Sequence, residues 1–167
     1  PAPALIGHTV ANLKEISPTV YFNVPRGYAV LLDHLEKDEA LQQTFFAELD
    51  MLFYAAAALP QSLWERLEKL GLKVRGRKVP FVSSWGLTET APLVTMVHFP
   101  IDRPGNIGVP APGTRVKLAP VGDKLEIRVK GPNVTPGYFK APDLTAKAFD
   151  EEGWLRTGDA VRLADPA

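Results

Sequence analysis

The 167-residue chain has no cysteine, which excludes disulfides and thiolate metal sites. It has no charge bias either. Its 19 basic residues are matched by 19 acidic ones, so there is no polyanion-binding face and no acidic tail, and nucleic acid and anionic membranes are poor partners. No apolar run approaches the length needed to span a bilayer. The first residues, Pro1-Ala2-Pro3-Ala4-Leu5-Ile6-Gly7-His8, lack the basic start and long apolar centre of a secretory signal. A soluble, cytoplasmic protein is expected. Three scattered histidines, His8, His34 and His98, show no ligand spacing. Absent too are the Gly-x-Gly-x-x-Gly fingerprint, the Walker-type phosphate loop and the Gly-x-Ser-x-Gly elbow. Ser83, Ser84 and His98 lack the spacing of a nucleophile and its base.

What the chain does have is concentrated in residues 82–92, Val-Ser-Ser-Trp-Gly-Leu-Thr-Glu-Thr-Ala-Pro. An apolar run over residues 79–82 leads into small residues, one aromatic, one glycine, then a hydroxyl beside a carboxylate. A buried strand delivers polar groups to a site in this way, because ligands of open α/β sheets gather at the carboxyl ends of strands. Gly86 permits a backbone approach that a β-carbon would block. Trp85 offers a flat face for a base to stack on, Thr88 a neutral hydroxyl, and Glu89 a hard carboxylate suited to Mg²⁺ beside substrate phosphates. On composition alone, a strand ending in a polar turn is the simpler reading.

Upstream, residues 19–24 are β-branched and aromatic and predict a strand. Residues 26–37 carry Ala29, Leu31, Leu32 and Leu35 at helical spacing, and residues 38–49 form a second helix capped by Asp38. Residues 50–55 return as a short buried strand that ends in the alanine run Ala55-Ala56-Ala57-Ala58. A helix over residues 60–70 is expected to stop at Gly71, with Trp64 in the core, and the basic stretch 73–78 is expected to be a solvated loop. Strand, helices, strand, helix, strand is a parallel α/β arrangement. From Pro100 onward, prolines and glycines replace helical periodicity. Residues 115–119 and 124–130 alternate as a hairpin. A short helical segment over 143–150 precedes a strand at Trp154. The expected organisation is an α/β subdomain over residues 1–100 and a smaller, mostly antiparallel β subdomain over 101–167.

Three stretches carry a resemblance. Ser84-Trp85-Gly86-Leu87-Thr88-Glu89 resembles the aromatic-Gly-x-Thr-Glu signature of the adenylate-forming superfamily, which comprises acyl-CoA synthetases, luciferases and peptide-synthetase adenylation domains. Residues 131–138, Gly-Pro-Asn-Val-Thr-Pro-Gly-Tyr, are similar to its Gly-x-x-Val-x-x-Gly-Tyr, and residues 154–159, Trp-Leu-Arg-Thr-Gly-Asp, to its aromatic-x-Arg-Thr-Gly-Asp. The likeness covers most of the chain and is strongest to bacterial feruloyl-CoA synthetases.

That resemblance implies a distorted barrel for the β subdomain, and ATP, Mg²⁺ and CoA for the chemistry. A carboxylate attacks the α-phosphate of ATP to give an acyl-adenylate and pyrophosphate, and the thiol of CoA then displaces AMP. By position, Thr88 and Glu89 are the catalytic residues, with Glu89 the metal ligand and Thr88 a phosphate contact. Trp85 and Gly86 lie against the adenine, and Asp159 accepts from the ribose hydroxyls. Ala56 and Ala57 stand where the family has a glycine-rich loop against adenine and acyl group, a departure that adds β-carbons. The acid implied is a phenylpropenoic acid such as ferulate, a fatty acid being the alternative. The family's phosphate loop and mobile domain with its catalytic lysine are not in these residues, so the chain is expected to be a central fragment, inactive alone and prone to self-association through uncovered edges. A non-catalytic nucleotide-binding module and an interaction fragment are the competing classes.

Overall fold

The computed structural model describes residues 3–164, which divide into two compact units. The first comprises residues up to Ser83 together with Val97–Asn106, and the second Ser84–Met96 together with the residues from Ile107 onward.

In the first unit the elements run α1 (Pro3–Glu15), β1 (Val20–Asn23), α2 (Pro25–Leu35), α3 (Glu39–Ala47), β2 (Met51–Tyr54), α4 (Gln61–Arg75) and the start of β3 (Phe81–Trp85). β1 pairs with β2 in parallel, Phe22 opposite Phe53, and β2 pairs with β3 in parallel, Leu52 opposite Phe81. The parallel α/β arrangement expected from the pattern is present. Pro25 opens α2 at a position where no amide hydrogen is needed. Tyr28, Leu31, Leu32 and Leu35 then recur on one side of α2 and are fully buried with Leu41, Phe45 and Phe46 of α3 and Leu67 of α4. The Tyr28 hydroxyl lies 2.9 Å from the carbonyl oxygen of Tyr21 and 2.8 Å from that of Phe53 and shares its one proton between them, so a buried phenol ties α2 to both strands. Asp38 caps α3 as expected, accepting from Leu41 N at 3.0 Å. Trp64 is a core residue, stacked on Phe81 with ring centroids 4.1 Å apart.

Two expectations need correction here. α4 does not stop at Gly71. That residue is buried within the helix, where an added β-carbon would lie 3.3 Å from the Phe46 ring, so its job is close packing; the left-handed terminator is Gly76. The basic stretch is consequently not a free loop. Lys73 and Arg75 lie on the last turns of α4 and pair with Glu39 and Asp50, while Arg77 pairs with Asp50 and Lys78 with Glu68. Helix α1 is not foreshadowed by the sequence pattern. Among its residues with described side chains only Leu13 is buried, so its apolar stripe is too thin to stand out as a period.

In the second unit, the end of β3 pairs antiparallel with β4 (Thr95–Met96), which pairs with β5 (Val109–Pro110). A hairpin follows. β6 (Arg115–Val121) and β7 (Lys124–Lys130) are joined by Gly122-Asp123, a tighter turn than the sequence suggests. After α5 (Pro142–Ala148), β8 (Leu155–Val161) lies antiparallel against β7. Ile127, Val129 and Leu155 form the buried face. This sheet is open, with β6 and β8 as edges, so the distorted barrel implied by the resemblance is not closed among the described residues. Among the described residues no helix is long and apolar enough to cross a membrane.

Candidate active site

The site begins where β3 ends. Ser84 and Trp85 pair with Met96 and Thr95, and Val94 N donates to Trp85 O at 3.0 Å, so the backbone of Trp85 is fixed in a sheet. The chain then folds back tightly. A β-carbon on Gly86 would overlap the carbonyl oxygen of Pro92, so only glycine lets the loop return to β4. Thr90, fully buried, braces the return. Its hydroxyl accepts from Leu87 N (2.8 Å) and donates to Leu87 O (2.9 Å). Thr88–Thr90 form one 3₁₀ turn, which leaves Thr88 exposed and Glu89 half-buried.

The second signature closes over this turn. Asn133 Nδ2 donates to the carbonyls of Thr90 (2.9 Å) and Leu93 (2.7 Å), satisfying two loop acceptors with one amide. Thr135 N donates to Glu89 O at 2.8 Å, and the Tyr138 hydroxyl donates to Glu89 Oε1 at 2.8 Å. The hydrogen bond to that carboxylate, with some loss of hydration, raises the Tyr138 phenol above its usual range. Glu89 is therefore held at both its backbone and its side chain.

The third signature is an irregularity in the sheet. β7 and β8 are in register at Arg128–Arg156 and again at Glu126–Ala160, so Ile127 alone faces Thr157, Gly158 and Asp159. Such a bulge re-aims side chains. Gly158 takes φ 75°, a value that favours glycine. The Thr157 hydroxyl donates to Ile127 O (2.6 Å) and accepts from Asp159 N (3.1 Å), and Gly158 N donates to Glu126 Oε1 (3.0 Å). Asp159 emerges exposed, and its Oδ2 accepts from the Trp85 indole Nε1–H at 2.9 Å.

β8 itself is anchored by Asp150. Its carboxylate accepts from Trp154 N (2.8 Å), Glu152 N (3.1 Å), Arg128 Nη1 (2.9 Å) and Lys117 Nζ (3.1 Å). Burial works to raise this carboxyl, but the hydrogen bonds and the two cations prevail and hold it well below the usual carboxylate range.

The structure thus gathers Trp85, Gly86, Thr88, Glu89 and Asp159 in one unit. Ala56 and Ala57 belong to the first unit, exposed after β2. Ala56 adopts φ 71°, so an alanine occupies a left-handed conformation that costs roughly 1–2 kcal/mol and suits glycine. Thr90, Asn133, Tyr138 and Thr157 are not singled out by the sequence as site residues. For Asn133, Tyr138 and Thr157 the only signal is membership of the second and third signatures, while Thr90 lies one residue past the first and its brace to Leu87 shows only once the turn is formed.

Among the described residues no group of three or more His, Cys, Asp or Glu side chains comes together. Such a group is not required for Mg²⁺ that travels with a nucleotide, which keeps most of its ligands as water and phosphate and takes one or two carboxylates from the protein. Glu89, a single carboxylate whose side-chain partner is a neutral, exposed phenol, fits that pattern.

Known proteins resemble this chain along most of its length. A long-chain-fatty-acid–CoA ligase of Escherichia coli is 35% identical over 146 residues, 83% of this chain and 25% of that protein. A feruloyl-CoA synthase of Amycolatopsis is 31% identical over 166 residues, 94% of this chain and 31% of that protein. A malonyl-CoA ligase, solved as a ternary product complex with methylmalonyl-CoA and AMP bound, superposes with a TM-score of 0.73 at 32% identity, covering 92% of this chain and 33% of its own. The chain thus spans about a quarter to a third of the length of these three proteins. Residues 1–139, which include the first two signatures whole, match the family of AMP-binding enzymes, and with relatives above 30% identity across most of its length the chain belongs to that family.

Proposed function

We propose that this chain supplies part of the nucleotide and acyl site of an AMP-forming carboxylate–CoA ligase. The observation that carries the reading is the meeting of three separate signatures in one unit, with Glu89 and Asp159 both fixed by side-chain hydrogen bonds. In the first half-reaction a carboxylate oxygen bonds to the α-phosphorus of ATP as the bond to the pyrophosphate oxygen breaks. In the second, the sulfur of CoA bonds to the acyl carbon, the bond to AMP breaks, and the thiol proton leaves to solvent. Neither step needs a side-chain nucleophile. Both need reactants held in line and developing charge stabilised.

The roles follow from what each side chain presents. Trp85 offers its ring to the adenine, and Gly86 lets the backbone turn close beneath it. Asp159 accepts from the ribose hydroxyls through Oδ1 and the lone pairs that the Trp85 N–H leaves open. Thr88, exposed on the 3₁₀ turn, donates to a phosphate oxygen. Glu89 holds Mg²⁺, which when bound neutralises phosphate charge. The intact enzyme is placed in the cytoplasm, where ATP and CoA are available.

For the acid, the similarity to a feruloyl-CoA synthase along nearly the whole chain supports a phenylpropenoic acid such as ferulate. The similarity to a long-chain-fatty-acid–CoA ligase supports an aliphatic chain as the second reading. Incubating the full-length protein with ATP, CoA and a panel of cinnamic, benzoic and fatty acids, and measuring thioester formed, tests this. Ferulate or coumarate should give the highest kcat/KM. A maximum on a saturated fatty acid selects the second reading, and thioester with neither class rejects both.

A further inference from the structure

We propose that Trp85 is a positioning residue for Asp159, acting through its indole N–H in addition to the face it offers the base. The inference rests on the reading of Asp159 as the ribose acceptor and assigns a second duty to the aromatic position of the first signature.

The geometry points to this division of labour. Asp159 sits on the bulge of an edge strand and is exposed, and an exposed aspartate samples several rotamers unless something holds it. Its backbone is secured through Thr157, but that bond leaves the carboxylate free to turn. The side-chain partner is the Trp85 N–H at 2.9 Å. Trp85 in turn is locked by ladder pairing to Thr95 and by Val94 N, so the donor stands on a rigid element and the acceptor on an adjustable one. One N–H engages Oδ2 and leaves Oδ1 and the remaining lone pairs to two neighbouring hydroxyls. Phenylalanine would keep the face and lose the donor. The ring and the N–H are therefore separable: the ring contributes to adenine affinity, and the N–H to discrimination by the ribose.

The test compares equilibrium binding of AMP and of 2′,3′-dideoxy-AMP to the full-length protein, by calorimetry, in the parent, Trp85→Phe and Asp159→Ala. The Asp159→Ala ratio of affinities should fall to about one. In Trp85→Phe the preference for AMP should drop by about threefold to tenfold, the scale of one net hydrogen bond, while affinity for the dideoxy nucleotide stays near that of the parent. If Asp159→Ala loses the preference and Trp85→Phe keeps all of it, the positioning role is wrong and the ribose reading stands. If Asp159→Ala keeps the preference, the ribose reading fails and the positioning role with it. A second measurement avoids dependence on the folding of Trp85→Phe. The Trp85 indole ¹H–¹⁵N resonance should move in Asp159→Asn, and the difference between its shift with AMP and its shift with the dideoxy nucleotide, present in the parent, should vanish in that variant. An indole signal indifferent to Asp159→Asn overturns the proposal.

Discussion

The Tyr138 hydroxyl donates to Glu89 Oε1 at 2.8 Å across 49 residues of sequence, joining the last residue of one signature to the last of another. Because Thr135 N also holds the Glu89 carbonyl, the carboxylate is presented from a turn that cannot easily swing away. The side-chain bond has a titration signature. A carboxylate beside the phenol favours its protonated form, so the folded pKa lies above the usual 10. A raised folded pKa means that the bond's contribution is complete below the unfolded value and is lost as pH rises through the folded one. Ultraviolet titration should show one exposed phenol, absent in Tyr138→Phe, ionising later than a free tyrosine, and in Glu89→Gln that transition should move back toward 10. A phenol that titrates identically with and without Glu89 contradicts the contact.

Glu89→Gln should also affect metal use. A neutral amide is a poor ligand for a hard cation, so the Mg²⁺ needed for half-maximal adenylation by the full-length protein should rise by about tenfold or more, the range typical of disturbing a metal's supporting groups. Superimposable Mg²⁺ titrations of parent and variant would remove Glu89 from the metal site.

Gly86→Ala is expected to be severe. With the added carbon overlapping Pro92 O, the loop must reopen, which also strains the Thr90 brace and the Asn133 clamp. The cost should reach about 3 kcal/mol or more, the upper end for overpacking, by denaturant unfolding. A loss below about 1 kcal/mol would mean that the fold-back does not require glycine.

Asp150 should contribute to the acid stability of the second unit. Its pKa is depressed in the folded state, so its contribution is present above the ordinary aspartate value and lost as pH falls through the still lower folded one. Asp150→Asn should lower the melting temperature at pH 7 and flatten its fall with acid. Glu151→Ala, which removes a 91% exposed side chain, should change neither. Equal effects of the two substitutions would show that the four-donor arrangement carries no special weight.

The parallel core is legible because its period is local: Leu31, Leu32 and Leu35 on α2, or Phe45 and Phe46 on α3, announce a buried face within one or two turns. Gly71 misleads because glycine serves both as a helix terminator and as a packing surface, and only the Phe46 ring beside it decides which. Strands β4 and β5 escape notice since a two-residue strand has no period to read. At the site, Trp85, Thr88, Glu89 and Asp159 can be named from the chemistry of their side chains in recognisable company. Their supports cannot. Asn133 reaches Thr90 across 43 residues, and no spacing rule encodes such a pairing. The conformation of Ala56 lies equally out of reach, since nothing in an alanine run signals a positive φ.

Carboxylate activation through an acyl-adenylate is the central claim, and pyrophosphate exchange tests it most directly. The full-length protein, given ATP, Mg²⁺, labelled pyrophosphate and its preferred acid without CoA, should return label to ATP, with exchange that depends on the acid and falls sharply in Glu89→Gln and Asp159→Ala. Thioester formation accompanied by ADP and phosphate, with no acid-dependent exchange, would contradict the account.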